Sequence, residues 1–152
     1  MASPSEKRTY PDRPYVGVGV IVFKDDAVLL VERQGPDGED VWSLPGGAQE
    51  LGETVEEAAH RELREEAGIR IELFGLIDVV DFIEPDQDNR VRRHYTLIDF
   101  AGEWRAGELT PGSDVAVARW APLASLEDYA LWDETARVIA EAVELRARTL
   151  RL

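Results

Sequence analysis

The chain has 152 residues, a length that suits one domain, and 44% of them are hydrophobic, enough for a sizeable core. It has no cysteine, which excludes disulfides and a thiolate nucleophile, and its formal net charge of −14 excludes nucleic acid and anionic membrane surfaces as natural partners. The start has no apolar core for a signal peptide, and the longest apolar run, Tyr15 to Phe23, is too short to span a bilayer, so a cytoplasmic location is expected.

Residues 1–14 hold three prolines and many charges and read as an extended arm. From residue 15 to residue 152 the chain reads as one domain. Tyr15 to Lys24 and Ala27 to Arg33 are β-rich and flank a turn at Asp25-Asp26. Residues 34–40 read as a loop, Val41 to Leu44 as a short strand, and Pro45-Gly46-Gly47 as a turn. A helix is predicted over Thr54 to Ala67. Thr54 and Glu57 form a capping-box pattern at its start, and Gly68 suits a left-handed end. Two strands are predicted next, Ile69 to Phe74 and Leu76 to Ile83, then a loop at 84–90 and a strand at Val91 to Phe100. The glycine-rich stretch 101–114 reads as a long loop before a last strand, Val115 to Ala121. A final helix starts near Asp133, with Trp132, Ala136, Ile139, Val143 and Leu150 as its expected core stripe. Strands on both sides of a central helix, then a closing helix, predict an α/β fold with a mixed sheet between helices.

The central helix carries the chemistry. Glu62, Glu65 and Glu66 stand at i, i+3 and i+4, which places them on one face, while Val55, Ala58, Ala59, Leu63 and Ala67 fall on another. Like charges at i and i+4 destabilise a helix unless a counter-charge is supplied. Oxygen-rich clusters suit a hard cation, and Mg²⁺ or Mn²⁺ is the expected cofactor. The alternative is a solvated acidic helix face. Such a cation would also reverse the local field of an acidic protein where an anionic phosphate has to sit.

Gly47, five residues, Glu53, seven residues, and then Arg61-Glu62-Leu63-Arg64-Glu65-Glu66-Ala67-Gly68-Ile69 resembles the Nudix box with every fixed position filled. The likeness extends over all but about the first dozen residues, and is to the ADP-ribose pyrophosphatase type. It implies an α/β/α sandwich and metal-dependent hydrolysis of a nucleoside diphosphate linked to another group. It implies that Glu62, Glu65 and Glu66, with the Gly46 carbonyl, hold the metal, that Glu65 and Glu66 take part in catalysis, and that Glu53 and Arg61 form a supporting ion pair. A carboxylate before the last strand often serves as base in such enzymes, which makes Asp114 the candidate and Glu108 the runner-up; the residues leave the box glutamates open for that role. Arg33 is a candidate for holding a terminal phosphate, against a solvated edge arginine. Trp42 and Tyr95 are candidates for stacking on a base, against core packing. His94 reads as a strand residue with a wet side chain.

ADP-ribose, cleaved to AMP and ribose 5-phosphate, is the expected substrate. A (d)NTP pyrophosphohydrolase is the alternative. A non-catalytic nucleotide sensor is disfavoured, because every box glutamate is present and no residues remain for a DNA-binding domain. The missing cysteine argues against the isoprenoid-isomerase branch. Many such enzymes are dimers, so a homodimer is compatible with the resemblance.

Overall fold

The computed structural model describes residues 8–35 and 38–150, so part of the predicted arm and two positions of the 34–40 loop lie outside the described residues. The sheet is built around β1 (Tyr15–Lys24). Its Val18, Val20 and Val22 are buried on one face, and its Ile21 and Phe23 on the other. A strand buried on both sides needs this run of β-branched and aromatic residues. One edge of β1 pairs in parallel with β6 (Val91–Ala106), from Tyr15↔Tyr95 to Phe23↔Glu103. Its other edge is shared. β2 (Ala27–Gln34) takes the C-terminal end through a turn at Asp25, whose φ is 53°, and β4 (Gly46–Ala48) pairs antiparallel with Gly17 to Gly19. β3 (Asp40–Ser43) and β7 (Val115–Pro122) flank β2, and β5 (Arg70–Pro85) closes the far edge on β6. This is a seven-stranded mixed sheet.

Helix α1 (Val55–Ala67) covers the face of Val18, Val20 and Val22. Helix α2 (Asp133–Leu150) covers Ile21 and Phe23. The α/β fold with helices on both faces of a mixed sheet is therefore as expected.

Several predicted boundaries were displaced, and glycine explains most of them. The two strands expected at 69–74 and 76–83 are one strand, β5, with register shifts on either side of Gly75. A glycine inside a strand marks a bulge as readily as a break. A Cβ at Gly75 would also come within 2.8 Å of Leu145 on α2, so the glycine admits the helix. Likewise β6 runs past Phe100 to Ala106, which shortens the expected 101–114 loop to its second half. A Cβ at Gly102 would meet the Glu72 carbonyl oxygen at 2.7 Å. The turn expected at 45–47 includes the start of β4, and a 3-10 segment, Leu123–Tyr129, precedes α2.

The core stripe of α2 is also corrected. Val138, Ile139 and Ala142 are buried, whereas Trp132, Ala136, Val143 and Leu150 are exposed. Spacings of three and four fit two neighbouring faces of one helix equally well, and packing on Val80 and Ala101 selects the other face. Trp132 sits edge-on against Phe82 instead, with ring centroids 5.7 Å apart.

Candidate active site

The Thr54 hydroxyl accepts the Glu57 backbone N–H at 3.0 Å, and the Glu57 carboxylate accepts the Thr54 N–H, so the expected capping box starts α1. Gly68, at φ 71°, ends it. Between these caps the helix turns Ala58, Ala59, Leu63 and Ala67 into the core. It turns Glu62 and Glu66 inward as well. Of the three box glutamates only Glu65 is well exposed, so the expected separation into a dry face and an anionic face does not hold.

Two glycines of β4 receive these buried carboxylates. The Gly46 N–H donates to Glu66 Oε1 at 2.8 Å, and a Cβ on Gly46 would lie 1.9 Å from the Val18 carbonyl oxygen. A Cβ on Gly47 would stand 2.5 Å from Glu62 Oε1. Bare backbone is therefore required at both positions.

Two arginines hold the cluster. Arg33, at the end of β2, makes a two-pronged pair with Glu66, Nη1 to Oε2 at 2.9 Å and Nη2 to Oε1 at 3.0 Å. Arg61 grips Glu53 through Nε at 2.6 Å and Nη2 at 3.0 Å, and donates to the Ala48 carbonyl at 3.0 Å. Its remaining nitrogen donates to Glu62 at 2.8 Å and to Glu65 at 3.0 Å. The Arg61 guanidinium holds the Glu53 carboxyl below its ordinary value. Burial pushes the Glu62 and Glu66 carboxyls up, against the pull of Arg61 and Arg33 respectively.

Asp114 is brought to the same place by register and by the loop before it. Val115 pairs with Arg33 across β2 and β7, and Asp114 Oδ1 lies 3.7 Å from Arg33 Nη1. The loop is tied to the C-terminal end of α1, where the Thr110 and Gly112 N–H groups donate to the Ala67 and Glu66 carbonyls at 2.8 and 3.1 Å. Those are carbonyls the helix itself leaves without partners. Glu108 is an exposed residue earlier in the loop, beside Gly68.

Trp42 and Tyr95 lie on the face of the sheet that carries α2. Trp42 packs edge-on against Tyr129 at 5.0 Å with Arg119 over its ring, and Tyr95 lies beside Gly17. Neither meets the glutamates directly among the contacts of the described residues. One buried acid escaped the sequence reading: Asp99 on β6, 6% exposed. The available signal was an acid interrupting the apolar run of that strand.

The family model of the NUDIX domain matches residues 13–142. The chain is a Nudix hydrolase. An ADP-ribose pyrophosphatase of Methanocaldococcus jannaschii is 38% identical over 117 residues, covering 77% of this chain and 67% of that protein. An 8-oxo-dGTP diphosphatase of Proteus vulgaris is 38% identical over 98 residues, covering 63% of this chain and 81% of its own. The chain spans about half the length of other curated relatives it matches. Among solved structures, a MutT NUDIX hydrolase from Burkholderia pseudomallei superposes with a TM-score of 0.72 at 29% identity, covering 86% of this chain and 98% of that one. A bifunctional NMN adenylyltransferase/ADP ribose pyrophosphatase from Francisella tularensis, complexed with AMP and Mn, superposes with a TM-score of 0.62 at 27% identity, covering 87% of this chain and 42% of that one.

Nudix hydrolases act on pyrophosphate bonds and generally need divalent metal ions. In this Nudix hydrolase the donor chemistry fits such an ion: carboxylate oxygens of Glu62, Glu65 and Glu66 beside a bare glycine backbone. Glu62 and Glu66 are buried with too little counter-charge to restore their ordinary acidity, which is what an added cation corrects. Among the described residues no three acidic or imidazole groups converge on one point, because Arg61 and Arg33 hold the glutamates individually. Among the described residues no helix is long and apolar enough to cross a membrane.

Proposed function

We propose that this Nudix hydrolase cleaves ADP-ribose to AMP and ribose 5-phosphate, using Mg²⁺ or Mn²⁺. The observation that carries the preference for a diphosphate is the placement of the arginines. A triphosphate calls for several cationic side chains at the site. Among the described residues Arg33 and Arg61 reach the glutamates, and Arg61 is itself held by Glu53. Arg90 pairs with Asp86, and Arg92 and Arg93 pair with Glu84, on the β5–β6 hairpin. The relationship to the M. jannaschii ADP-ribose pyrophosphatase supports the same reading.

In this reading Glu62, Glu65, Glu66 and the Gly46 carbonyl hold the metal, which supplies charge neutralisation and a more acidic water. The water oxygen bonds to one phosphorus as the bridging P–O bond breaks, and its proton passes to a carboxylate. Asp114 is that base, because it stands within reach of the Arg33–Glu66 pair on an anchored loop. Arg33 turns from Glu66 to a phosphate oxygen. Trp42 and Tyr95 contact the nucleoside, and Glu53 and Arg61 keep the glutamates in position. The partner is a small-molecule nucleotide, taken by a monomer or homodimer.

The test compares kcat/KM for ADP-ribose, other diphosphate sugars, and normal and oxidised dNTPs, with and without chelator. ADP-ribose should lead, and activity should vanish in chelator and return with Mg²⁺ or Mn²⁺. A triphosphate preferred by more than about tenfold, some 1.4 kcal/mol of transition-state binding, overturns the substrate. Full activity in excess chelator overturns the mechanism.

A further inference from the structure

An arginine in this protein meets acids by default. The chain has 31 acidic side chains for 17 lysines and arginines, so the surroundings of a cation are anionic unless the fold arranges otherwise. Arg33, Arg61, Arg105, Arg137, Arg146 and the three arginines of the β5–β6 hairpin each pair with a carboxylate. Arg64 and Arg70 do not. Neither side chain has an ion pair, a hydrogen bond or a ring contact among the described residues. The acids beside them in sequence are held by others, Glu65 by Arg61 at 3.0 Å and Glu72 by Arg105 at 2.8 Å.

The two arginines line one cavity. It measures about 390 Å³ and is bounded by His60, Arg64, Ile69, Arg70 and Ile71, on the flank of α1 beside the start of β5. His60 and Arg64 are at i and i+4, so they share a side of the helix. Arg70 comes from the strand, between Ile69 and Ile71, which are buried in the core under α1. In a regular strand Arg70 would point away from the face of its neighbours. The β5–β6 register shifts between Arg70 and Ile71, and such a bulge re-aims a side chain, so both line the same hollow. No acid stands in its wall. A cavity of about 580 Å³ at the tip of the β5–β6 hairpin gives the contrast. Arg90 and Arg92 line it, but Asp86 and Asp88 line it with them, and Arg90 pairs with Asp86. An exposed arginine is ordinarily just solvated, and one in the last turn of a helix gains from the helix dipole. That accounts for Arg64. It does not account for a strand arginine turned into the same hollow, or for walls free of acid in so acidic a protein.

We propose that this hollow binds the terminal phosphate of a small molecule, held by the Arg64 and Arg70 guanidiniums with His60 as a further N–H donor. Its volume falls within the about 300–1,000 Å³ of small-molecule sites. Guanidiniums meet phosphate oxygens in pairs, and no carboxylate in the lining competes for them. The hollow shares no lining residue with the glutamate cluster, so the inference stands whichever nucleotide the glutamates act on. Hydrolysis of a pyrophosphate bond leaves terminal phosphates on its products. The reaction itself and free phosphate are therefore both sources of the same chemistry.

The test is NMR titration of the isotope-labelled full chain, stripped of metal on a chelating resin so that the glutamate cluster repels anions. Inorganic phosphate, pyrophosphate, AMP and ribose 5-phosphate are added in separate series at constant ionic strength, with chloride as the control. At least one should saturate while shifting the backbone amides of His60, Arg64 and residues 69–71, and the tightest identifies the source. Replacing both arginines, Arg64→Gln with Arg70→Gln, should weaken that binding by about tenfold or more. Arg148→Gln, at an exposed position near the end of α2, should leave it unchanged. Arg64 and Arg70 are exposed, so the fold should stand, with circular dichroism as the check and the single variants in reserve. Shifts that never saturate, that chloride reproduces, or that centre on Gly46 and the glutamates overturn the proposal. So does a double variant that binds within about threefold of wild type, or an equal loss in Arg148→Gln, which would report net charge alone.

Discussion

Glu53→Gln tests whether the Arg61 clamp positions the glutamates or merely decorates the helix. Glu53 and Arg61 side chains are 12% and 15% exposed, and two hydrogen bonds of 2.6 and 3.0 Å join them. Glutamine keeps one acceptor and points an amide N–H₂ at a guanidinium, so at least one bond and the charge complement are lost. Removing one partner of a buried ion pair costs about 3–5 kcal/mol. Arg61 retains Glu62, Glu65 and the Ala48 carbonyl, which lowers the expected loss to about 2–3 kcal/mol. At about 2–4 °C per kcal/mol for a chain of this size, Tm should fall by about 4–12 °C. Because the same guanidinium holds Glu62 and Glu65, kcat should fall about 10- to 100-fold. The assay is thermal unfolding by circular dichroism beside steady-state kinetics, with the exposed Glu56→Gln as a control for loss of charge on the same helix. A Glu53→Gln protein melting within about 1 °C of wild type, with kcat unchanged, would refute the positioning argument.

Glu66→Gln should lower kcat by orders of magnitude while the fold survives, since the amide oxygen still accepts the Gly46 N–H, with Tm below wild type because the two-pronged pair with Arg33 is lost; near-normal kcat in a folded variant would remove that face from the metal site. Asp114→Asn should lower kcat and flatten the rising limb of the pH–rate profile, with metal affinity little changed; an unaltered profile would move the base to Glu108 or α1. Asp99→Asn should be more stable than wild type at pH 8 by up to about 3 kcal/mol, because its carboxyl is raised from 3.8 to about 6 and each unit is worth about 1.36 kcal/mol. A raised acid is a penalty present above its folded value, so the gap should close as pH falls through 6 toward 4; urea titrations showing no gap at pH 8 would refute the shift.

The caps of α1 were legible because their causes are local: Thr54 and Glu57 are three residues apart, and Gly68 follows the last apolar position. The extents of β5 and β6 were not, because a glycine's meaning depends on what lies across from it. Gly75 faces Leu145 and Gly102 faces the Glu72 backbone, and neither neighbour is near in sequence. The same division runs through the site. The three box glutamates lie within one helical turn and a half, so their grouping could be read. The pairing of Arg33 with Glu66 depends on where β2 ends against β7, and the sequence alone left Arg33 open between a ligand contact and a wet edge. Asp99 is hidden for the opposite reason. An acid in an alternating strand reads as a solvent-facing position, and only the closure by Leu44 and the neighbouring strands buries it.

Charge is the thread that ties these residues to the reaction. At the cluster, Glu53, Glu62, Glu65 and Glu66 share two guanidiniums, Arg33 and Arg61, in a protein whose net charge is already −14. An anionic substrate is therefore repelled both by the whole molecule and by the place where it must bind. Arginines could have corrected this, but Arg90, Arg92 and Arg93 are committed to acids of the hairpin. Arg137 and Arg146 are likewise committed, to α2, β5 and β6. In the proposed reading cations from solution supply the correction, favoured by the same excess of carboxylate that repels the substrate. A divalent cation held by the glutamates would, in that reading, offset the charge where the substrate phosphates have to sit. On this logic, adding positive side chains near Asp114 should relax the metal requirement for binding before it improves turnover, since arginine neutralises phosphate charge but does not acidify a water.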